Sequence, residues 1–337
     1  MRKTLSFDDV LLEPQFSDIT SRSSVNTEVS LGEFGSLAVP IVSAPMDTVT
    51  GVDMAKSIGQ EGGLGILHRY NTIEEQVKMA TAVSESGKIF GAAIGVSGDW
   101  FDRASALVWE TNTKIFCIDV AHGHHTNVRH AIEVLRNTFG TTIHIMAGNV
   151  ATLQAFDDLS DWGADSIRVG VGGGSICSTR IQTGHGVPTL QSVMDCAKSN
   201  RDALLIADGG IRNSGDIVKA LAAGADLVML GSLLGGTDEA PGKVTSVRGK
   251  PRKIYRGMAS KEAQIDWKGD YRSFEGVSST LPLKGPVAET IRDLETGIRS
   301  GMSYSGARNL TELIAKARFI RQTNAGIIES STHVERM

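Results

Sequence analysis

The sequence predicts an α/β protein folded as a (β/α)8 barrel. Three observations predict it. Eight short runs rich in Val, Ile and Leu recur along the chain, most of them followed by a helical pattern. Strands that alternate with helices pair in parallel and are buried on both faces, so they read as apolar runs rather than as alternation. Glycine turns cluster after the sixth, seventh and eighth runs, whereas an open doubly wound sheet carries its glycine signature after the first strand. The 337 residues also suit one barrel of about 250 residues with insertions.

The elements follow in order. "VPIVSAPM" (Val39–Met46) is the first strand, and "GVDMAKSIGQEGG" is a helix that glycine ends. "GLGILH" precedes an amphipathic helix over Ile73–Val83, and "IFGAAIGV" precedes one over Trp100–Trp109. "IFCIDVAH" leads to Val128–Phe139, and "IHIMAGNV" to Leu153–Trp162. "DSIRVGV" runs into three glycines before a helix at Pro188–Lys198. "LLIADGG" precedes Gly215–Ala223, and "LVMLGSLL" is the last strand. No linker or low-complexity tract interrupts this series, so one catalytic barrel is expected over residues 1–337. The interval 237–285 is polar, contains glycine and lacks apolar periodicity. It is expected to be a mobile loop, a lid over the C-terminal face. Two helices, Val287–Arg299 and Asn309–Arg321, are expected to close the chain, and residues 324–337 form a tail suited to docking on a neighbouring subunit.

Composition narrows the function. The net charge is −4 and no basic run occurs, which argues against a nucleic-acid or membrane-surface partner. No apolar run approaches the ~18 residues of a membrane span. Asp8 and Asp9 interrupt any leader-like N-terminus. Cys117, Cys177 and Cys196 are odd in number and form no CxxC, so neither a disulfide framework nor a zinc site is expected. The cytoplasm is the expected compartment.

The chemistry lies in the glycine turns. Asp208-Gly209-Gly210 ends the seventh strand and Gly231-Ser232 the eighth. In (β/α)8 barrels the loops after these two strands often bind phosphate through backbone N–H groups. Asp208 suits ribose hydroxyls, or equally a helix N-cap. Flavin enzymes on this scaffold have similar turns, so a flavin oxidoreductase stays open. Cys177 follows Gly172-Gly173-Gly174-Ser175 on the loop after the sixth strand, where glycines expose it at the rim. A thiolate there can add to an electrophilic carbon. Cys117 and Cys196, inside a strand and a helix, read as small buried hydrophobes.

These residues stand in stretches that resemble the IMP dehydrogenase/GMP reductase family. "LSFDDVLLEP", "SAPMDTVT", "EGGLGILHR", "AGNVAT", "RVGVGGGSICSTR", "IADGGIRNSGDIVKALAAGA", "MLGSLLGGTDEAPG" and "YRGMAS" are similar to family signatures and occur in family order over nearly the whole chain. The resemblance implies a (β/α)8 barrel assembled as a homotetramer, acting on a purine 5′-mononucleotide. It implies that Cys177 attacks C2 of the purine. It implies that Ser175, Gly210, Gly231, Ser232 and Tyr255 hold the phosphate and Asp208 the ribose, with Gly209 in the substrate set beside them. Gly257, Met258 and Arg272 complete the substrate set. Asp119, Val120, Ala121, Gly170 and Arg69 face the nicotinamide cofactor, and Ser21 and Arg22 resemble a segment that reaches the cofactor of an adjacent subunit. Carbonyls of Gly172, Gly174 and Cys177 match a monovalent-cation site, often potassium.

Within the family, the resemblance points to the reductase branch: NADPH-dependent reductive deamination of GMP to IMP and ammonia, through a covalent thioimidate on Cys177. "DYRSFEG" is similar to a reductase element, and the "RYF" of dehydrogenase lids is missing. "TSRSSV" is similar to a reductase segment, with Arg22 available for the 2′-phosphate of NADPH. No regulatory CBS modules interrupt the chain after the second strand. Thr179 and Glu275 resemble the pair that moves protons to the leaving nitrogen. "SAPMDTV" and "AGIIES" look more dehydrogenase-like, so the alternative is an IMP dehydrogenase without CBS modules, making XMP from IMP, NAD and water.

Overall fold

The structure, a computed structural model, describes residues 1–271 and 275–330. Eight parallel strands close a barrel: β1 (Ile41–Ser43), β2 (Leu64–Leu67), β3 (Phe90–Ile94), β4 (Ile115–Asp119), β5 (His144–Val150), β6 (Ser166–Val169), β7 (Leu204–Asp208) and β8 (Leu227–Leu230). Closure is made by β8 on β1, with Val228 opposite Ile41 and Leu230 opposite Ser43. All eight strands expected from the sequence are present.

The barrel helices are α1 (Val52–Gln60), α2 (Ile73–Ser84), α3 (Trp100–Glu110), α4 (Thr126–Phe139), α5 (Leu153–Asp161), α6 (Thr179–Thr183), α7 (Thr189–Cys196) and α8 (Ser214–Ala222). Their starts are fixed locally: Thr72 and Glu75 form a reciprocal capping box on α2, and the Thr152 and Asn213 side chains cap α5 and α8. One apolar layer lies between strands and helices. A second fills the barrel with Val42, Leu64, Ile66, Cys117, Met146 and Met229. A hairpin of Val29–Ser30 and Ser36–Leu37 plugs the lower end, where Phe34 meets the edge of the His144 ring at 5.5 Å. The upper end, at the strand C-termini, is left for the site.

Two segments differ from expectation. The interval after β8 contains an antiparallel sheet of β9 (Val244–Val247), β10 (Lys250–Arg256) and β11 (Ser278–Pro282), with α9 (Lys261–Lys268) between the last two. Its outer strands bury no residue and β10 buries only Lys253 and Tyr255, one of them a charged side chain, so the segment shows no apolar alternation. After α10 (Val287–Tyr304), the helix expected over Asn309–Arg321 stops early. Helix α11 is Leu310–Lys316, and Phe319–Arg321 is a strand antiparallel to Val10–Leu12. Local periodicity cannot reveal a partner some 300 residues away. A last helix, α12 (Asn324–Glu329), begins the tail. Among the described residues, no helix is long and apolar enough to cross a membrane.

Candidate active site

The loops after the barrel strands surround a cleft of about 280 Å³, covered on one side by the lid. Cys177 lies on the loop after β6, and its position is set by pairing with the lid. Ser178 N–H donates to Glu275 O at 2.8 Å and Val277 N–H donates to Ile176 O at 2.9 Å, which brings Cys177 opposite Gly276. Side chains follow the same contact. The Cys177 thiol donates to Thr179 Oγ1 at 3.2 Å, and the Thr179 hydroxyl donates to Glu275 Oε2 at 2.7 Å. A thiol, a hydroxyl and a carboxylate thus form one directed proton path.

Ser175, Gly209, Gly210, Gly231, Ser232 and Tyr255 line one wall of the cleft. Gly231 is required there: a Cβ would stand 2.8 Å from the Tyr255 hydroxyl. Burial pushes the Tyr255 phenol up to about 12, against hydrogen bonds with Ser175 and Ser232, so it stays a neutral O–H donor. Three hydroxyls and glycine backbone make a wall suited to phosphate.

Asp208 stands at the end of β7. Its Oδ2 accepts from Asn149 Nδ2 at 2.7 Å and from Arg168 Nε at 3.0 Å, while its Oδ1 takes no donor from the described residues. Arg168, buried in β6, also donates to Asp119 Oδ1 at 2.7 Å and to Cys117 Sγ at 3.3 Å. The carboxylates beside it hold its guanidinium well above the ordinary arginine range despite burial. Sequence reasoning missed this residue. The available signal was a charge inside the apolar run "SIRVGV", because a charge in a buried strand needs partners. Gly170 is confined by the same cluster: its φ is +153° and a Cβ would lie 1.9 Å from Asp208 O.

Arg69, Asp119, Val120, Ala121 and Gly170 line the opposite side. Arg69 donates from Nη2 to Asp119 O at 3.0 Å. Its buried Nε has no hydrogen-bond partner, with Asp119 Oδ2 at 3.8 Å. A buried donor without an acceptor fits the amide of a nicotinamide, an acceptor that would satisfy it. Met258 and Gly257 complete the cleft. Tyr70, another residue missed at the sequence level, donates from its hydroxyl to Met258 O at 2.5 Å and stacks on Trp267 of α9 at 4.3 Å. Gly172 and Gly174 also line the cleft. Gly174 O accepts the Cys177 N–H at 3.1 Å, and the carbonyls of Gly172 and Cys177 accept no hydrogen bond among the described residues. Such oxygens suit a hard monovalent cation.

Ser21 and Arg22 do not line this cleft. They lie on an exposed turn that packs near α10, where Arg299 donates to Ser23 O. Arg272 falls outside the described residues.

A family model described as IMP dehydrogenase / GMP reductase domain matches residues 4–333. The chain belongs to the IMP dehydrogenase/GMP reductase family. It is thus an oxidoreductase of a family that uses a nicotinamide cofactor. It is 33% identical to the inosine-5′-monophosphate dehydrogenase of Nitrosopumilus maritimus, over 98% of each chain. It is equally 33% identical to the GMP reductase of Leishmania major, over 98% of this chain and 96% of that one. A crystal structure of a Cys-to-Ala variant of the Trypanosoma brucei GMP reductase, in complex with guanosine 5′-monophosphate, superposes with a TM-score of 0.94 at 32% identity, covering 100% of this chain and 99% of that one. The alignments to the first two relatives run over 471 and 475 positions, more than the 337 residues here. Both a dehydrogenase and a reductase therefore carry a long stretch that this chain lacks. Its absence does not separate the two branches of the family.

Proposed function

We propose that the protein is a GMP reductase, converting GMP to IMP and ammonia at the expense of NADPH. The observation that carries this reading is the path from the Cys177 thiol through Thr179 to the Glu275 carboxylate. A proton passed along it leaves a thiolate at one end and a carboxylic acid at the other. The thiolate forms a bond to C2 of the purine, and the acid is then loaded to protonate the departing amine. Breaking C2–N2 releases ammonia and leaves a thioimidate on Cys177. When bound, the reduced nicotinamide supplies hydride to C2, after which the C–S bond breaks and IMP forms.

The other residues position these groups. The wall of Ser175, Gly209, Gly210, Gly231, Ser232 and Tyr255 takes the phosphate, and the open Oδ1 of Asp208 takes ribose hydroxyls. Gly257, Met258 and Arg272 are proposed for the base. Arg69, Asp119, Val120, Ala121 and Gly170 hold the nicotinamide end. Ser21 and Arg22 are proposed to serve the 2′-phosphate in a neighbouring copy of a homotetramer. Potassium is proposed at the carbonyls of Gly172, Gly174 and Cys177. The lid excludes water, because hydrolysis of the thioimidate would yield XMP.

Absorbance of reduced nicotinamide tests the reading. GMP with NADPH should lose signal and release ammonia, with none gained from IMP, NAD and potassium. Signal gained only in the second mixture would make the protein a dehydrogenase.

A further inference from the structure

Where β11 leaves the lid, the chain returns to the barrel through Leu283–Gly285. Lys284 there reaches under the turn that follows β8. Its Nζ donates to Ser232 O at 2.5 Å and to Leu233 O at 2.9 Å, and its N–H donates to Gly236 O at 3.0 Å. The C=O and N–H of a trans peptide point in opposite directions. With the Ser232 and Leu233 carbonyls turned to Lys284, the N–H groups of Leu233 and Leu234 point away from it. Those of Leu234 and Gly235 close on Gly231 O at 3.1 and 2.8 Å. Those of Ser232 and Leu233 find no protein acceptor among the described residues, and Ser232 lines the cleft.

The half-buried ammonium makes no ion pair with any described carboxylate. Charged and titratable groups on the elements around it include Asp238, Glu239, Lys253, Tyr255 and Glu289, with Arg252 and Arg256 on the same strand as Lys253 and spent on Thr280, Asp47 and Asp266. Glu239 accepts the Val287 N–H, and Lys253 is spent on the carbonyls of Thr237, Asp238 and Ala240. A half-buried cation with no counter-ion among the described residues stands behind a turn whose unused donors lead to the phosphate wall. We infer that Lys284 is a positioning residue for the nucleotide phosphate, which supplies its missing counter-charge across the Ser232–Leu233 turn. This rests on the mononucleotide reading above. Burial pushes the ammonium down to about 8, so its charge, and the help it gives, should be lost as pH rises past that value.

The test uses the full chain and calorimetric binding of GMP and IMP, with guanosine as the phosphate-free control. Lys284→Met should weaken both nucleotides by between about ten- and a hundredfold and leave guanosine unchanged. Lys284→Arg should restore most of the affinity. From about pH 7 to 9, nucleotide affinity should fall in the natural protein and stay level in the arginine variant. Equal affinities in the methionine variant, an equal loss for guanosine, or the same pH slope in Lys284→Arg would overturn the inference. If the natural protein bound neither nucleotide, the functional reading would fall first and this one with it.

Discussion

The Thr179 hydroxyl donates to Glu275 Oε2 at 2.7 Å across the seam between the barrel and its lid. Neither residue is near the other in sequence, and the carboxylate comes from the segment that pairs with the cysteine loop. Replacing Glu275 by Gln keeps the shape and removes the base. Turnover of GMP should fall by about 10²- to 10⁴-fold with little change in KM. Thr179→Val should do the same, and the double variant should be no slower than either single one, as measured by steady-state kinetics. Additive losses would mean that the two residues do not act as one path.

Tyr70 fastens the lid from the other side, through Met258 O and the ring of Trp267. Removing its hydroxyl in Tyr70→Phe forfeits one hydrogen bond, about 1 kcal/mol. The expected result is a roughly fivefold loss in kcat/KM, with Trp267 fluorescence shifted towards the solvent-exposed form. An unchanged spectrum and rate would show that the clasp has no part in closure.

Arg168 is the shared partner of Asp119 and Asp208. In Arg168→Met two carboxylates lose their cation, and breaking a buried pair costs about 3–5 kcal/mol. Denaturant unfolding should register this loss, and KM should rise for both nucleotide and cofactor. A rise in only one of them would confine Arg168 to that site.

His144 lies at the closed end of the barrel, its Nε2 2.8 Å from Ser166 Oγ. Burial holds its pKa down at about 4, against 6.5 for the free side chain. Above pH 6.5 both folded and unfolded chains keep it neutral. As pH falls from there towards 4, only the unfolded chain takes up the proton, so stability is lost with acid. Melting temperatures across this window should fall less steeply in His144→Gln than in the natural protein. Identical slopes would assign the acid sensitivity to other groups.

The barrel was legible because each strand is buried on both faces, and burial writes itself into composition. The glycine turns were legible because close backbone approach excludes side chains, as at Gly231 and Gly170. The cleft gathers Cys177, Thr179, Asp208 and Glu275, all singled out from motifs. What composition did not carry was pairing at a distance. The strand Phe319–Arg321 looks helical until Val10–Leu12 is laid beside it. The lid sheet buries only Lys253 and Tyr255 of its strands, too little for the apolar alternation that burial imposes. Tyr70 and Trp267 meet only because α9 folds over β2's loop, and Lys284 reads as an ordinary surface lysine until its carbonyls are seen.

The Arg168 bridge has one last consequence, for order and reciprocity. A single cation anchors the carboxylates of both proposed ligand subsites, so filling one subsite alters the field felt at the other. Thermodynamic linkage then requires symmetry: whatever factor the nucleotide imposes on dinucleotide affinity, the dinucleotide imposes on the nucleotide. A compulsory sequence of addition would therefore be a property of access and rates, since the equilibrium is indifferent to which partner arrives first.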